Sequence, residues 1–128
     1  MLEKTKFSWK NRGRAFKYAW QGLNSLVVYE HNARIHCVVA FLVIIAGIIF
    51  SISPVEWCLV TLAIGIVLGA EALNTAVEVL ADRITLEKDP LIGRAKDLGA
   101  FAVTISAIMA VVIGIIIFLP KLINMLVK

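Results

Sequence analysis

The chain has 128 residues, and 60% of them are hydrophobic. This fraction exceeds the roughly 45–50% apolar content typical of soluble domains. The net charge of +4 comes without any pattern typical of RNA or DNA binding, so we interpret it as attraction to anionic lipid and expect no nucleic-acid partner. Composition therefore excludes an ordinary soluble domain and predicts a membrane protein.

The N-terminal segment, at about residues 8–30, carries a stripe of aromatic and apolar side chains. The stripe consists of Trp9, Phe16, Trp20, Leu23 and Val27. Their spacings of 7, 4, 3 and 4 place them on one face of an α-helix. This pattern is typical of a helix in the membrane interface. We predict an amphipathic surface helix, which either anchors the chain or forms the rim of a lipid entry site.

Three long apolar runs follow the surface helix. They predict transmembrane helices at about residues 34–52, 56–82 and 98–120. Each run is close to or above the ~20 residues that an α-helix needs to cross a hydrocarbon core. Three spans leave no room for a separate soluble domain. We therefore predict an all-α membrane protein with a single membrane-embedded domain, residues 1–128, whose site is built from the helices and their connections.

Lysine and arginine are unevenly distributed between the ends of these spans. Residues 1–36 hold seven of them against two acidic residues, the turn at 53–56 holds none, and residues 82–97 hold four. By the positive-inside rule, the N-terminus and the 82–97 loop lie in the cytoplasm. The turn and the C-terminus then lie outside.

A ladder of polar residues runs along the second predicted span. Its members are Glu71, Asn74, Glu78 and Asp82. The spacings of three, four and four residues place them on one helix face. An ionised side chain near a bilayer centre costs about 2.5–3.5 kcal/mol. The glutamates therefore need a partner, a proton, a metal ion or water.

Three interpretations of the ladder are open at this point. Paired carboxylates can hold Mg²⁺, which is usually bound by one or two carboxylates together with substrate phosphates. A buried glutamate can act as a general base toward a hydroxyl, and proton relays in transporters use such residues as well. A hydrogen-bonded seam that only fixes the helix register is the third interpretation.

Two further polar clusters lie at the predicted cytoplasmic face, at residues 30–36 and 87–97. Glu30 and Arg34 are four residues apart, and taken alone this pair favours a simple helix ion pair. The second cluster is equally compatible with a solvated loop. The convergence of three clusters at one interface favours an enzyme. Neither of the common glycine-rich nucleotide-binding motifs occurs, that is, neither Gly-x-x-x-x-Gly-Lys-Ser/Thr nor Gly-x-Gly-x-x-Gly. We therefore expect a nucleotide to be bound by other residues.

Two motifs resemble those of the prokaryotic diacylglycerol kinase family. They are Glu71-Ala-Leu-Asn-Thr-Ala-Val-Glu78, followed by Asp82, and Gly93-Arg-Ala-Lys-Asp97, within a similarity from about Phe16 to Leu119. The resemblance implies a homotrimer of three-span subunits in the bacterial inner membrane, each with a surface helix. It also implies transfer of the γ-phosphate of ATP to a lipid alcohol, with Mg²⁺, at cytoplasmic sites shared between subunits.

The resemblance assigns roles to individual positions as well. Glu71 matches the catalytic base, and Asn74 matches an asparagine beside the chemistry. Glu30 and Glu78 match the metal-binding carboxylates. The positions that match contacts to the nucleotide or its metal are Arg14, Tyr18, Glu30, Glu78, Glu87, Lys88, Asp89, Lys96 and Asp97. The positions that match contacts to the lipid are Asn32, Arg34, His36, Trp57, Glu71 and Ala100.

The identity of the lipid is open at the level of sequence. His36 stands where enterobacterial members carry a glutamate, and residues 34–36 and 118–121 resemble the undecaprenol kinase branch. We therefore expect either diacylglycerol or undecaprenol as the substrate, with phosphatidate or undecaprenyl phosphate as the product. The alternative function is a small proton-coupled transporter that uses the intramembrane glutamates. The odd number of spans and the cytoplasmic charge bias argue against it.

Overall fold

A computed structural model describes residues 8–127 of the chain. In order, its helices are α1 (Trp9–Tyr29), α2 (His31–Ile49), α3 (Pro54–Ile84) and α4 (Pro90–Leu126). The last three are long and apolar enough to cross a membrane, which confirms the prediction of an all-α protein with three such helices. Residues 1–7 and 128 of the predicted domain lie outside the described residues.

The connection between α3 and α4 is shorter than the sequence suggested. Only residues 85–89 lie between the two helices, so most of the predicted 82–97 loop is helical. Asp89 begins α4, because its Oδ1 accepts hydrogen bonds from the backbone N–H groups of Leu91 and Ile92 at 2.8 and 3.0 Å. Pro90 follows as the first helical residue, a position that needs no N–H donor.

The opposite connection, at residues 50–53, is closed by a capping box. Ser53 Oγ accepts a hydrogen bond from the Glu56 backbone N–H, and the Ser53 backbone N–H donates to Glu56 Oε2 at 2.7 Å. Glu56 Oε1 also lies 3.2 Å from Lys121 Nζ, which ties the start of α3 to the last turns of α4. We call this end of the bundle the turn end, and the end with residues 85–89 the loop end.

A buried apolar cluster holds the helices together at the turn end. Ile52, Val60 and Ile117 form a buried cluster there, and the rings of Phe50 and Phe118 lie beside it, 6.2 Å apart. Along the bundle, α3 packs against both α4 and α2. The contact between α2 and α4 is much smaller, so these two helices leave an opening over α3.

Many large apolar side chains on the three long helices face outward from the single chain. Phe41, Leu62 and Ile116 are each more than 60% exposed. An apolar surface of this extent is stable only against lipid tails or other chains. It agrees with a membrane protein, as the hydropathy predicted.

The first helix, α1, contacts α2 and α3. Leu26, near its C-terminal end, is buried, whereas Trp9, Phe16 and Trp20 are more than 70% exposed. The exposed aromatic side chains are members of the predicted stripe. A membrane-surface position of α1 remains a prediction, as does its role at a lipid entry site.

Candidate active site

The polar ladder on α3 runs from the buried interior toward the loop end. Glu71 is 2% exposed, Asn74 and Glu78 are half-buried, and Asp82 is exposed. The helical period places the four residues on one face of α3, and exposure increases toward the end of the helix at Ile84. The ladder therefore connects a buried carboxylate to the surface of the protein.

Glu71 is buried, and its Oε2 has no hydrogen-bond partner among residues 8–127. His36 Nε2 on α2 lies 4.0 Å from this oxygen. This distance is too long for a hydrogen bond. A buried carboxylate oxygen that is left unsatisfied is destabilising, so Glu71 Oε2 is open to a hydrogen bond from a bound group.

Polar side chains from α2, α3, α4 and the connection before α2 lie around the ladder. His36, Glu30 and Glu78 are close enough to Glu71 to interact with it electrostatically. Lys96 on α4 forms an ion pair with Asp82 at 2.9 Å, and its charge also interacts with Glu78. The structure thus brings the three polar clusters of the sequence together at the loop end of the bundle.

Asn74 links the middle of the ladder to its outer part. Its Nδ2 donates a hydrogen bond to Glu78 Oε1 at 3.1 Å. Asn74 Oδ1 and the neighbouring Thr75 Oγ1 are buried, and neither has a hydrogen-bond partner in the described part of the chain. Asn74 therefore orients one carboxylate and still offers an acceptor oxygen. Thr75 lies within the motif at residues 71–78 but is not among the predicted site residues.

The oxygen atoms at this site suit a hard divalent cation. Within residues 8–127, no three His, Cys, Asp or Glu side chains lie close enough to hold a metal ion by themselves. Mg²⁺ does not require such a cluster, because phosphates and water complete its coordination. Glu30 and Glu78 are half-buried oxygen donors, and Asn74 Oδ1 lacks a partner. These residues fit a magnesium ion that arrives with a nucleotide.

Arg34 has a structural partner that the sequence did not reveal. Its Nε donates to the backbone carbonyl of Val27 at 2.7 Å, and its second guanidinium nitrogen donates to the carbonyl of Val28. These carbonyls belong to the last turn of α1, where no intrahelical donor remains for them. A cation at this end also complements the helix dipole. Arg34 therefore fixes the corner between α1 and α2, where Glu30 lies.

We expect Arg34→Lys to loosen this corner, because lysine keeps the charge but cannot form two parallel hydrogen bonds. The last turn of α1 should fray, and trypsin should cleave the folded, detergent-solubilised protein in α1 several-fold faster at Lys10, Arg14 and Lys17. Limited proteolysis followed by mass spectrometry measures this rate. Arg83→Lys, at an exposed position at the end of α3, is the matched control. Equal cleavage of both variants would contradict the role of Arg34.

The other predicted nucleotide residues lie on two exposed surfaces. Arg14 and Tyr18 are exposed on α1, and Glu87 and Lys88 are exposed in the connection before α4. Asp89 uses Oδ1 to cap α4, and Asp97 is exposed one residue beyond Lys96. Only Lys96 of this set has a described contact with the ladder.

The predicted lipid residues divide between the two ends of the bundle. Asn32, Arg34 and His36 lie in the first turns of α2, and Ala100 lies on α4 next to Gly99, which faces Asn74. Trp57 lies at the turn end, where it packs closely against Gly47. It is 14 residues from Glu71, or about 21 Å along the helix. The structure does not bring Trp57 to the charged cluster.

An apolar groove begins at His36 and extends toward the turn end. It is a cavity of about 370 Å³ between α2, α3 and α4. Its lining includes Val39, Val67 and Ala110, and among the described residues that line it His36 is the only one with a polar side chain. Toward the turn end, Val60 belongs both to the lining and to the buried cluster around Ile117. Glu71, 4.0 Å from His36, therefore lies beside the loop end of an apolar groove.

Three membrane-spanning helices and a buried carboxylate beside an apolar groove define a helical membrane protein whose site suits a lipid substrate. Comparison with known proteins makes the assignment specific. The family model described as "Prokaryotic diacylglycerol kinase" matches residues 17–118. The chain belongs to the prokaryotic diacylglycerol kinase family and is a lipid kinase, which confirms the resemblance seen in the sequence.

Individual relatives support the same family. The undecaprenol kinase of Bacillus subtilis (strain 168) is 38% identical over 109 residues, which cover 85% of this chain and 89% of the relative. The diacylglycerol kinase of Haemophilus influenzae (strain Rd) is 37% identical over 103 residues, or 80% and 87% of the two chains. The diacylglycerol kinase of Escherichia coli (strain K12) is 33% identical over 99 residues, or 77% and 81%.

Proposed function

We propose that this kinase transfers the γ-phosphate of ATP to the hydroxyl of a membrane lipid, with Mg²⁺, at the cytoplasmic face of the bacterial inner membrane. The observation that carries the proposal is the Oε2 atom of buried Glu71, which has no hydrogen-bond partner among the described residues and lies 4.0 Å from Nε2 of His36, a residue that lines the apolar groove. A lipid that lies in the groove can place its hydroxyl beside both atoms, at hydrogen-bond distance from each.

Glu71 is the general base in this proposal. Its Oε2 accepts the proton of the lipid hydroxyl while the hydroxyl oxygen bonds to the γ-phosphorus and the bond to ADP breaks. Phosphoryl transfer needs little covalent chemistry from the protein, so most of the catalysis is positioning and charge neutralisation. His36 Nε2, 4.0 Å from Glu71 Oε2, forms a second hydrogen bond with the same hydroxyl, as donor or acceptor, and so orients it.

Glu30 and Glu78 would hold the magnesium ion, which supplies charge neutralisation on the phosphates. Asn74 orients the Glu78 carboxylate through its 3.1 Å hydrogen bond. Lys96 is placed to exchange its ion pair with Asp82 for a nucleotide phosphate. The exposed nucleotide candidates Arg14, Tyr18, Glu87, Lys88, Asp89 and Asp97 complete the proposed site.

The groove favours undecaprenol over diacylglycerol as the lipid. Diacylglycerol carries two ester groups close to its hydroxyl, and burial of an ester carbonyl without a donor is unfavourable. The groove offers no polar side chain except His36. Undecaprenol carries a single hydroxyl on a wholly apolar chain, which suits such a lining. The relative from Bacillus subtilis is named for this substrate.

The proposed assembly is a homotrimer with sites shared between subunits. The large exposed apolar surface of α2, α3 and α4 supports association within the membrane. The positions of Arg14 and Tyr18 on the exposed surface of α1 leave them accessible to a nucleotide bound at a neighbouring subunit. Family membership does not favour the alternative of a proton-coupled transporter.

The test is transfer of labelled γ-phosphate from ATP to undecaprenol and to diacylglycerol, side by side in mixed micelles with and without Mg²⁺. We expect magnesium-dependent transfer to both lipids or to undecaprenol alone, with the larger kcat/KM for undecaprenol. A preference for diacylglycerol would show the lipid assignment to be wrong. No transfer to either lipid by folded protein would show the reaction to be wrong.

A further inference from the structure

Gly99 lies where α4 packs against the side chain of Asn74. A Cβ atom at Gly99 would be 2.5 Å from Asn74 Oδ1 and 3.6 Å from Asn74 Cα. At six of the eight glycines, such a Cβ would meet no atom within 4 Å apart from chain neighbours and the backbone of its own helix, and at Gly47 it would meet Trp57 at the other end of the bundle. Only at Gly99 does the missing side chain leave space for a residue of the ladder.

The space at Gly99 determines the orientation of the Asn74 amide. Oδ1 occupies that space and has no hydrogen-bond partner, while Nδ2 donates to Glu78 Oε1 at 3.1 Å. The amide group is planar and rigid, so a displacement of Oδ1 also moves Nδ2. A methyl group at position 99 would therefore turn the amide and lengthen its hydrogen bond to Glu78.

This effect is separable from stability. The atom that a new Cβ would displace is the end of a flexible side chain, and the 3.6 Å contact with Asn74 Cα is an ordinary van der Waals distance. Alanine is also more favourable than glycine inside a helix. Addition of a methyl group at Gly99 should leave the fold intact while it changes the geometry of the ladder.

We propose that Gly99 is a positioning residue of the kinase, which acts through Asn74 on the Glu78 carboxylate and so on the binding of the metal–nucleotide complex. The proposal rests on the proposed function, because it assigns Glu78 to the metal. Gly99 contacts neither the nucleotide nor the lipid in this account. Gly99 has no side chain, and this leaves the space that Asn74 Oδ1 occupies.

The first experiment compares Gly99→Ala with Gly65→Ala, a control on α3 where a new Cβ meets nothing within 4 Å. Binding of Mn²⁺ is measured by electron paramagnetic resonance in the presence of β,γ-methylene ATP, without turnover. We expect Gly99→Ala to weaken Mn²⁺ binding about tenfold and to lower kcat/KM for the nucleotide by a similar factor. An effect of this size is typical of the coupling between two residues in contact, here Gly99 and Asn74. The melting temperature of Gly99→Ala should not fall below that of Gly65→Ala.

The second experiment is a double-mutant cycle with Asn74→Ala. If Gly99 acts through Asn74, the double variant should bind Mn²⁺ no more weakly than Asn74→Ala alone. Additive losses, wild-type Mn²⁺ binding by Gly99→Ala, or a destabilised Gly99→Ala protein would each overturn the inference. These outcomes differ from failure of the proposed function, in which the wild-type protein itself transfers no phosphate.

Discussion

Glu71→Gln should reduce kcat by about 10²–10⁴-fold, the range expected for the loss of a general base. Glutamine has nearly the same shape as glutamate, so it fits the site where Glu71 is 2% exposed, but it cannot accept the proton of the lipid hydroxyl. Binding of the nucleotide should change little. Initial rates at saturating lipid and MgATP, with nucleotide affinity measured separately, test both expectations.

The same substitution should not destabilise the protein. It removes a carboxylate that is buried with Oε2 unpartnered, and burial of a charge without a partner is unfavourable. The melting temperature of Glu71→Gln should therefore equal or exceed that of the wild type. If Glu71→Gln had both a lower melting temperature and a low kcat, misfolding would explain the loss of activity. Measurement of the melting temperature together with kcat therefore distinguishes misfolding from the loss of a catalytic group.

Glu56→Gln is the matched control for Glu71→Gln. It makes the same chemical change on the same helix, but at the turn end, in an ion pair with Lys121. Partly exposed ion pairs contribute about 0–1 kcal/mol, so we expect a small loss of stability and an unchanged kcat. If Glu71→Gln were as active as Glu56→Gln, Glu71 would not be the base.

The three long helices and the polar ladder could be predicted because both are local properties of the sequence. The span lengths follow from runs of apolar residues, and the shared face of Glu71 and Glu78 follows from the helical period. The start of α4 was also accessible in principle, since Asp89 and Pro90 form a helix-start signal. It was missed because mixed charge and proline at residues 87–97 are equally typical of a loop.

Other features depend on how the helices approach each other, which no periodic pattern encodes. The hydrogen bonds from Arg34 to the carbonyls of Val27 and Val28 need the particular angle between α1 and α2. The fit of Asn74 against Gly99 needs the close packing of α3 on α4. The separation of Trp57 from the charged cluster follows from the length of α3 and could have been calculated from sequence positions alone.

Glu78→Gln should weaken the binding of the metal–nucleotide complex rather than stop the chemistry. Glutamine can still accept the hydrogen bond from Asn74 Nδ2 through its side-chain oxygen, so the geometry of the ladder is kept while the negative charge is lost. The Mg²⁺ concentration for half-maximal activity should rise about tenfold or more, equivalent to about 1.4 kcal/mol of binding free energy. Rates measured over a range of Mg²⁺ at fixed ATP test this expectation.

The response to excess metal distinguishes the two carboxylates. Since Glu78 contributes to affinity in the proposed mechanism, high Mg²⁺ should restore much of the activity of Glu78→Gln. The same treatment should not restore Glu71→Gln, because occupancy of the metal site cannot replace a missing proton acceptor. If high Mg²⁺ restored the activity of both variants, Glu71 would be assigned to metal binding instead of proton transfer. If it restored neither, Glu78 would be assigned a role in the chemical step.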